Sequence, residues 1–109
     1  MAEKLPGRFE DVTVLCKANI FFEGKVVSHT VLFKDGSKKT IGLIQPGTYK
    51  LNTGAPEKME ITMGSCLVKP GGSRQWHTYS AGDFFHIPGE SWFEIIVDEN
   101  ILEYICSFG

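Results

Sequence analysis

Long apolar runs are missing from this chain of 109 residues, and its first residues carry no signal-peptide core. Neither a membrane span nor an export signal is therefore expected, and no membrane partner. Charge of one sign is missing too. Eleven Lys and Arg stand against 13 Asp and Glu, for a formal net charge of −2 at pH 7. That leaves no basic stripe to neutralise phosphate backbones, so nucleic acid is not an expected partner. Cysteine is limited to Cys16, Cys66 and Cys106, an odd count without C-x-x-C spacing. This argues against a disulfide framework and against a zinc site, and for small buried thiols in a reducing cytoplasm. A period of 3.6 residues is absent, and no linker, repeat or low-complexity tract marks a second domain.

What is present is the vocabulary of strands. Hydrophobic residues make up 42% of the chain and aromatics 12%, enough for one globular core. Short runs rich in Val, Ile, Thr and aromatics alternate with turn residues every eight to twelve positions, as in an all-β sandwich or barrel. Asp35-Gly36, between Thr30–Phe33 and Thr40–Ile44, is the clearest hairpin signal. Alternation places Glu57, Met59 and Ile61 on one face and Lys58, Glu60 and Thr62 on the other. Near the C-terminus it groups Tyr104, Cys106 and Phe108. Apolar Ile41 and Ile105 on the opposite parity suggest a face covered by a second subunit, sheet on sheet. Residues 1–8 are polar, carry Pro6 and Gly7, and read as a flexible tail; residues 9–109 form the domain.

Two spacings point further. Six residues separate Glu57 from Gly64, and five separate Gly82 from Pro88. The pair resembles the two halves of the cupin signature, whose histidines ligate a metal. Placed on Glu57, those ligand positions fall at Leu51, Thr53 and Phe93, so only the carboxylate survives. The resemblance implies a single-domain cupin, an RmlC-like jelly-roll β-barrel, whose cavity serves something other than first-row metal chemistry. His29, His77 and His86 fall on three different expected strands, and none takes a ligand position.

A narrower resemblance spans Phe9 to the C-terminus. Ala18–Val26, Asp35–Gly42, Pro46-Gly47-x-Tyr49, Glu57-x-Met59-Glu60-Ile61-Thr62-x-Gly64, Trp76, Ala81-Gly82, Phe85-x-Ile87-Pro88 and Tyr104-x-Cys106-Ser107 together look like the cupin-type pyrimidine/purine nucleoside phosphorylases. That resemblance implies a homodimer without metal or organic cofactor. It implies a pentosyl transfer in which inorganic phosphate, as co-substrate, splits purine and pyrimidine nucleosides into base and (deoxy)ribose 1-phosphate. Position 29 is His where the resemblance leads one to expect Arg, so a phosphate contact there would lack a permanent cation.

Such chemistry must hold a phosphate, hold the ribose hydroxyls and neutralise a departing base, through an oxocarbenium-like sugar. Glu57 is the candidate for gripping hydroxyls or for proton donation; the ordinary alternative is an acid satisfied by the Thr53–Pro56 turn. Thr53 and Ser91 offer hydroxyls near opposite ends of the expected cavity, although turn hydroxyls often only cap turns. Tolerance of many bases calls for stacking rather than edge recognition. Tyr49, Phe93 and Trp92 are the candidate rings, and each also reads as an ordinary core aromatic. Lys39 and Thr40, with Lys38 and Lys25, are the candidate phosphate donors, against a solvated hairpin edge. Two other functions stay open: a non-enzymatic module binding a nucleoside, nucleobase or sugar, and, ranked last, a metal-dependent oxygenase or isomerase.

Overall fold

Eleven antiparallel strands and one 3-10 turn make up the described residues 5–109 of the computed structural model. The strands are β1 (Thr13–Val14), β2 (Asn19–Phe21), β3 (Val26–Leu32), β4 (Lys38–Ile44), β5 (Gly47–Asn52), β6 (Glu57–Met63), β7 (Ser65–Pro70), β8 (His77–Ser80), β9 (Phe84–Ile87), β10 (Trp92–Val97) and β11 (Leu102–Phe108). The larger sheet runs β1-β3-β4-β11-β6-β9, with β2 also paired to β3; the smaller runs β5-β10-β7-β8. This is the expected jelly-roll fold, with its barrel built as two facing sheets. No helix among the described residues is long and apolar enough to cross a membrane.

Local chemistry accounts for the turns. In the β3–β4 hairpin, Gly36 takes φ +90°, which costs a glycine little. Asp35 Oδ1 accepts from the Ser37 amide at 2.9 Å and from its hydroxyl at 2.6 Å, an arrangement that mimics a backbone turn. Gly82 supplies the same backbone freedom (φ +97°) between β8 and β9.

Register then stacks the inner face of the larger sheet into rungs. Val26, Ile44 and Leu102 form the first; Ser28, Gly42, Tyr104 and Ile61 the second; Thr30, Thr40, Cys106, Met59 and Phe85 the third. Beyond them Phe108 pairs with Glu57 and Glu57 with Ile87, while Lys38 continues β4 two residues past Thr40. The face therefore grades from fully apolar at one end to polar at the other. Against the apolar end pack Val68, Ile95 and Val97 of the smaller sheet, all essentially inaccessible. The core closes there, and the polar end stays open.

The outer face of the larger sheet is partly covered. Pro6, Gly7, Arg8 and Phe9 line a groove with His29, Ile41, Leu43 and Ile105. Of the residues expected as a tail, 1–4 lie outside the described residues and Pro6 to Arg8 line this groove. Glu60, expected on an outward face, is buried there, 4% exposed, cross-strand from Ile105. Cys66 and Cys106 are buried as expected, whereas Cys16 is exposed.

Candidate active site

At the polar end of the rungs lies a cavity of about 480 Å³, within the size range of small-molecule sites. The larger sheet contributes Val26, Ser28, Thr30, Lys38, Thr40, Tyr104, Cys106, Phe108, Glu57 and Met59; the smaller contributes Phe93 of β10 and Lys50, Leu51 and Asn52 of its edge strand β5. Strand β2 closes one side. Its Asn19 amide donates to Ser28 Oγ at 3.2 Å and to Thr30 Oγ1 at 3.1 Å, tying two polar rungs together. Beyond it, Phe22 and Glu23 hold positive φ values of 53° and 57°, backbone that costs a non-glycine residue about 1–2 kcal/mol. The Phe22 ring packs edge-on against Tyr49 at 5.1 Å. This bend leaves Phe21 on the cavity wall and more than half exposed.

Burial sets the electrostatics. Desolvation raises the Glu57 pKa above its ordinary value, and the Cys106 thiol, donating to Oε1 at 3.5 Å, partly offsets the rise. Desolvation also lifts the Cys106 thiol well above the usual range, and the charge of Glu57 lifts it further. The Tyr104 phenol is pushed to about 12, mainly by burial, with Ser28 pulling the other way. In all three groups burial disfavours the charged form.

Glu57, Thr40 and Phe93 meet in this cavity. The other expected site residues lie elsewhere, each for a physical reason. Thr53 and Ser91, expected at opposite ends of the cavity, face each other outside its lining. Thr53 Oγ1 donates to Pro88 O at 2.7 Å and accepts the Ser91 amide at 3.0 Å, so its hydroxyl is spent on joining the end of β5 to the loop before β10. Tyr49 is buried, and its hydroxyl donates to Gln45 O at 2.8 Å. Lys39 points outward, its ammonium 5.4 Å from the Phe9 ring centre and 5.8 Å from that of Phe33. His29 also lies on the outer face, with Nδ1 3.2 Å from Leu15 O. Trp92 is absent from the lining and carries the Lys50 ammonium over its ring at 4.4 Å. Lys38 takes the place expected for Lys39: it lines the cavity, 5.3 Å from the Phe108 ring centre.

An iron or zinc shell does not fit this lining. Its anionic donors would be Glu57, the Tyr104 phenol and the Cys106 thiol, and burial holds both the phenol and the thiol in their protonated forms, whereas a metal-bound sulfur must be thiolate. Among the described residues no three His, Cys, Asp or Glu side chains converge on a point. Leu51 and Phe93 fill two positions where a metal cupin presents imidazoles.

Comparison with known proteins agrees with the geometry. The sequence model of the pyrimidine/purine nucleoside phosphorylase family matches residues 16–108. A protein of that name from Cupriavidus pinatubonensis is 55% identical over 102 residues, covering 94% of this chain and 96% of its own. A crystal structure of a protein of unknown function from Acinetobacter sp. ADP1 superposes with a TM-score of 0.90 at 43% identity, covering 94% of this chain and 98% of that one. A cupin-2 domain from Rhodospirillum rubrum shares the fold at 18% identity, with a TM-score of 0.66 over 98% of this chain and 75% of its own. With its motifs in order along the whole domain and a family model matched over residues 16–108, the chain belongs to the pyrimidine/purine nucleoside phosphorylase family.

Proposed function

We propose that this protein is a pentosyltransferase that uses inorganic phosphate to cleave purine and pyrimidine nucleosides, releasing the free base and (deoxy)ribose 1-phosphate. The observation that carries the reading is the open end of the rungs, where the Glu57 carboxylate, the Lys38 and Lys50 side chains and the hydroxyls of Ser28, Thr30 and Thr40 line one cavity together with aromatic side chains. Phosphate attacks C1′ as the C1′–N bond breaks; the bonding pair leaves with the base, which then takes up a proton. In this reading Glu57, as a carboxylate, accepts hydrogen bonds from the ribose hydroxyls and stabilises the positive sugar. Lys38 and Thr40 hold the phosphate. Phe21, more than half exposed, and Phe108 offer ring faces that any base can meet, which favours breadth over selectivity, while Phe93 lies buried in the cavity wall. No cofactor is invoked. Buried unpaired thiols at Cys66 and Cys106 fit a reducing, cytoplasmic setting.

The test incubates the protein with uridine or inosine, with and without phosphate, in EDTA. Base release that requires phosphate and survives the chelator is expected. Binding without turnover would make the protein a nucleoside-holding module instead. In the same assay Lys38→Met raises KM for phosphate by about tenfold or more, the worth of one charge-assisted hydrogen bond. Lys39→Met leaves it within about twofold, because its side chain lies on the other face.

A homodimer belongs to the same proposal. Ile41 and Leu43 stand exposed on the outer face of the larger sheet, beside the groove of residues 6–9, and sheet-on-sheet packing would cover them. Light scattering is expected to give twice the chain mass, and a monomer mass at micromolar concentration would remove the dimer.

A further inference from the structure

The Glu57 carboxylate sits where β6 begins, next to the open end, with no arginine or lysine bridging to it among the described residues. An acid held so loosely would swing between rotamers, and an unfixed carboxylate binds a sugar diol poorly. One side chain limits that freedom. Cys106 stands on the neighbouring strand β11, one rung further in, and the Cβ direction of both residues is set by the β6–β11 register. Its sulfur is 3.5 Å from Glu57 Oε1. On its other side Cys106 pairs across the sheet with Thr40, so the sulfur itself is held between two strands.

Resting on the phosphorylase reading, we propose that Cys106 is a positioning residue for Glu57: its S–H, donated to Oε1, fixes the carboxylate and leaves Oε2 for the sugar. A thiol suits the task for two reasons. It is a weak donor, so it orients the acid without neutralising its affinity for substrate hydroxyls. Burial and the adjacent carboxylate keep it protonated, so no thiolate faces an electrophilic C1′ in competition with phosphate.

The test compares wild type, Cys106→Ala and Cys106→Ser. The pH profile of kcat/KM for uridine at saturating phosphate is the first readout. Removing the donor takes away an interaction that favours ionised Glu57, so the acid limb of Cys106→Ala moves to higher pH, and kcat/KM at neutral pH falls about fivefold to tenfold. Cys106→Ser restores a donor; its acid limb returns to or below the wild-type position, and the rate recovers in part. A Cys106→Ala profile that overlies wild type, or Ala and Ser limbs that coincide, overturns the proposal. The second readout is the Glu57 pKa by carboxyl-carbon NMR titration without substrate. It is expected to rise in Cys106→Ala and to fall back in Cys106→Ser. This separates the two readings: titration shifts without turnover would retire the phosphorylase and keep the Cys106–Glu57 coupling, whereas turnover with unshifted titration would do the reverse.

Discussion

Glu57→Gln is expected to lower kcat/KM for nucleosides by about 10²- to 10⁴-fold and, at neutral pH, to raise the melting temperature. The first effect is the loss of charge on a carboxylate that accepts from two sugar hydroxyls, at roughly 1.5–3 kcal/mol for each charged hydrogen bond. The second follows from burial. Desolvation places the folded-state pKa of Glu57 above its ordinary 4.5, despite the Cys106 bond. Below the unfolded value the acid is protonated in both states and folding is not penalised. As pH rises through the raised folded value, ionisation comes to favour the unfolded chain, and stability is lost. Glutamine never ionises. Its advantage should therefore be present at pH 7 and fade below pH 4.5. Melting curves of both proteins on either side of that value check the sign. An advantage equal at both pH values would mean that charge is not its source, and near-normal phosphorolysis by Glu57→Gln would remove the acid from the mechanism.

The combination is informative because it separates function from structure. A side chain kept for the fold should cost stability when its charge is removed. One kept for chemistry, in a place where burial disfavours it, should do the opposite. No partner cation compensates Glu57 within the cavity lining at ion-pair distance among the described residues, so the bound sugar itself would supply the compensation.

Much of this was legible in the sequence, and what was not has a common cause. Alternation along one strand is local information. It placed Glu57, Met59 and Ile61 together, and Tyr104, Cys106 and Phe108 together, and both groups face inward. The same rule, applied to β4, would have rejected Lys39 beside Thr40, since adjacent residues on a strand face opposite ways; Lys38 was the consistent choice. Pairing between distant strands is not local. Nothing in the sequence says that Cys106 lands beside an acid 49 residues earlier, because that depends on β11 entering between β4 and β6. The Thr53–Ser91 pairing, across 38 residues, was hidden in the same way. The spacing that identified a cupin frame marked Thr53 by position alone, and a hydroxyl's partner cannot be read from position. The polar role of β2, through Asn19, had no sequence signal beyond its place in the Ala18–Val26 string.

Gly42 carries the second large effect. It sits on the inner face of β4, cross-strand from Ser28 on one side and Tyr104 on the other. Its backbone is ordinary strand, so an alanine there meets no conformational penalty of the left-handed kind. Space is the difficulty. An added Cβ would lie 2.5 Å from Val27 O, 2.8 Å from Ser28 Cβ and 2.9 Å from the Tyr104 hydroxyl oxygen. A tyrosine can swing away, but a strand carbonyl held in a sheet cannot move without displacing β3. Gly42→Ala should therefore destabilise by about 2–3 kcal/mol, the upper range for overpacking, or roughly 10–20 °C in Tm for a domain of this size. Activity should fall as well, because displacing the Tyr104 ring alters the wall of the cavity it lines, one rung from Cys106. A double-mutant cycle with Tyr104→Phe divides the cost. Deleting the hydroxyl relieves the 2.9 Å contact and leaves the 2.5 Å one, so the rescue should be partial. Full rescue would show that the strand yields and the phenol alone was the obstacle; a Gly42→Ala protein within about 0.5 kcal/mol of wild type would show that β3 and β4 are not packed this closely in solution. Either way the measurement reads the second rung directly: a glycine inside a strand marks where another chain of atoms comes close, and here it makes room for the tyrosine that roofs the site.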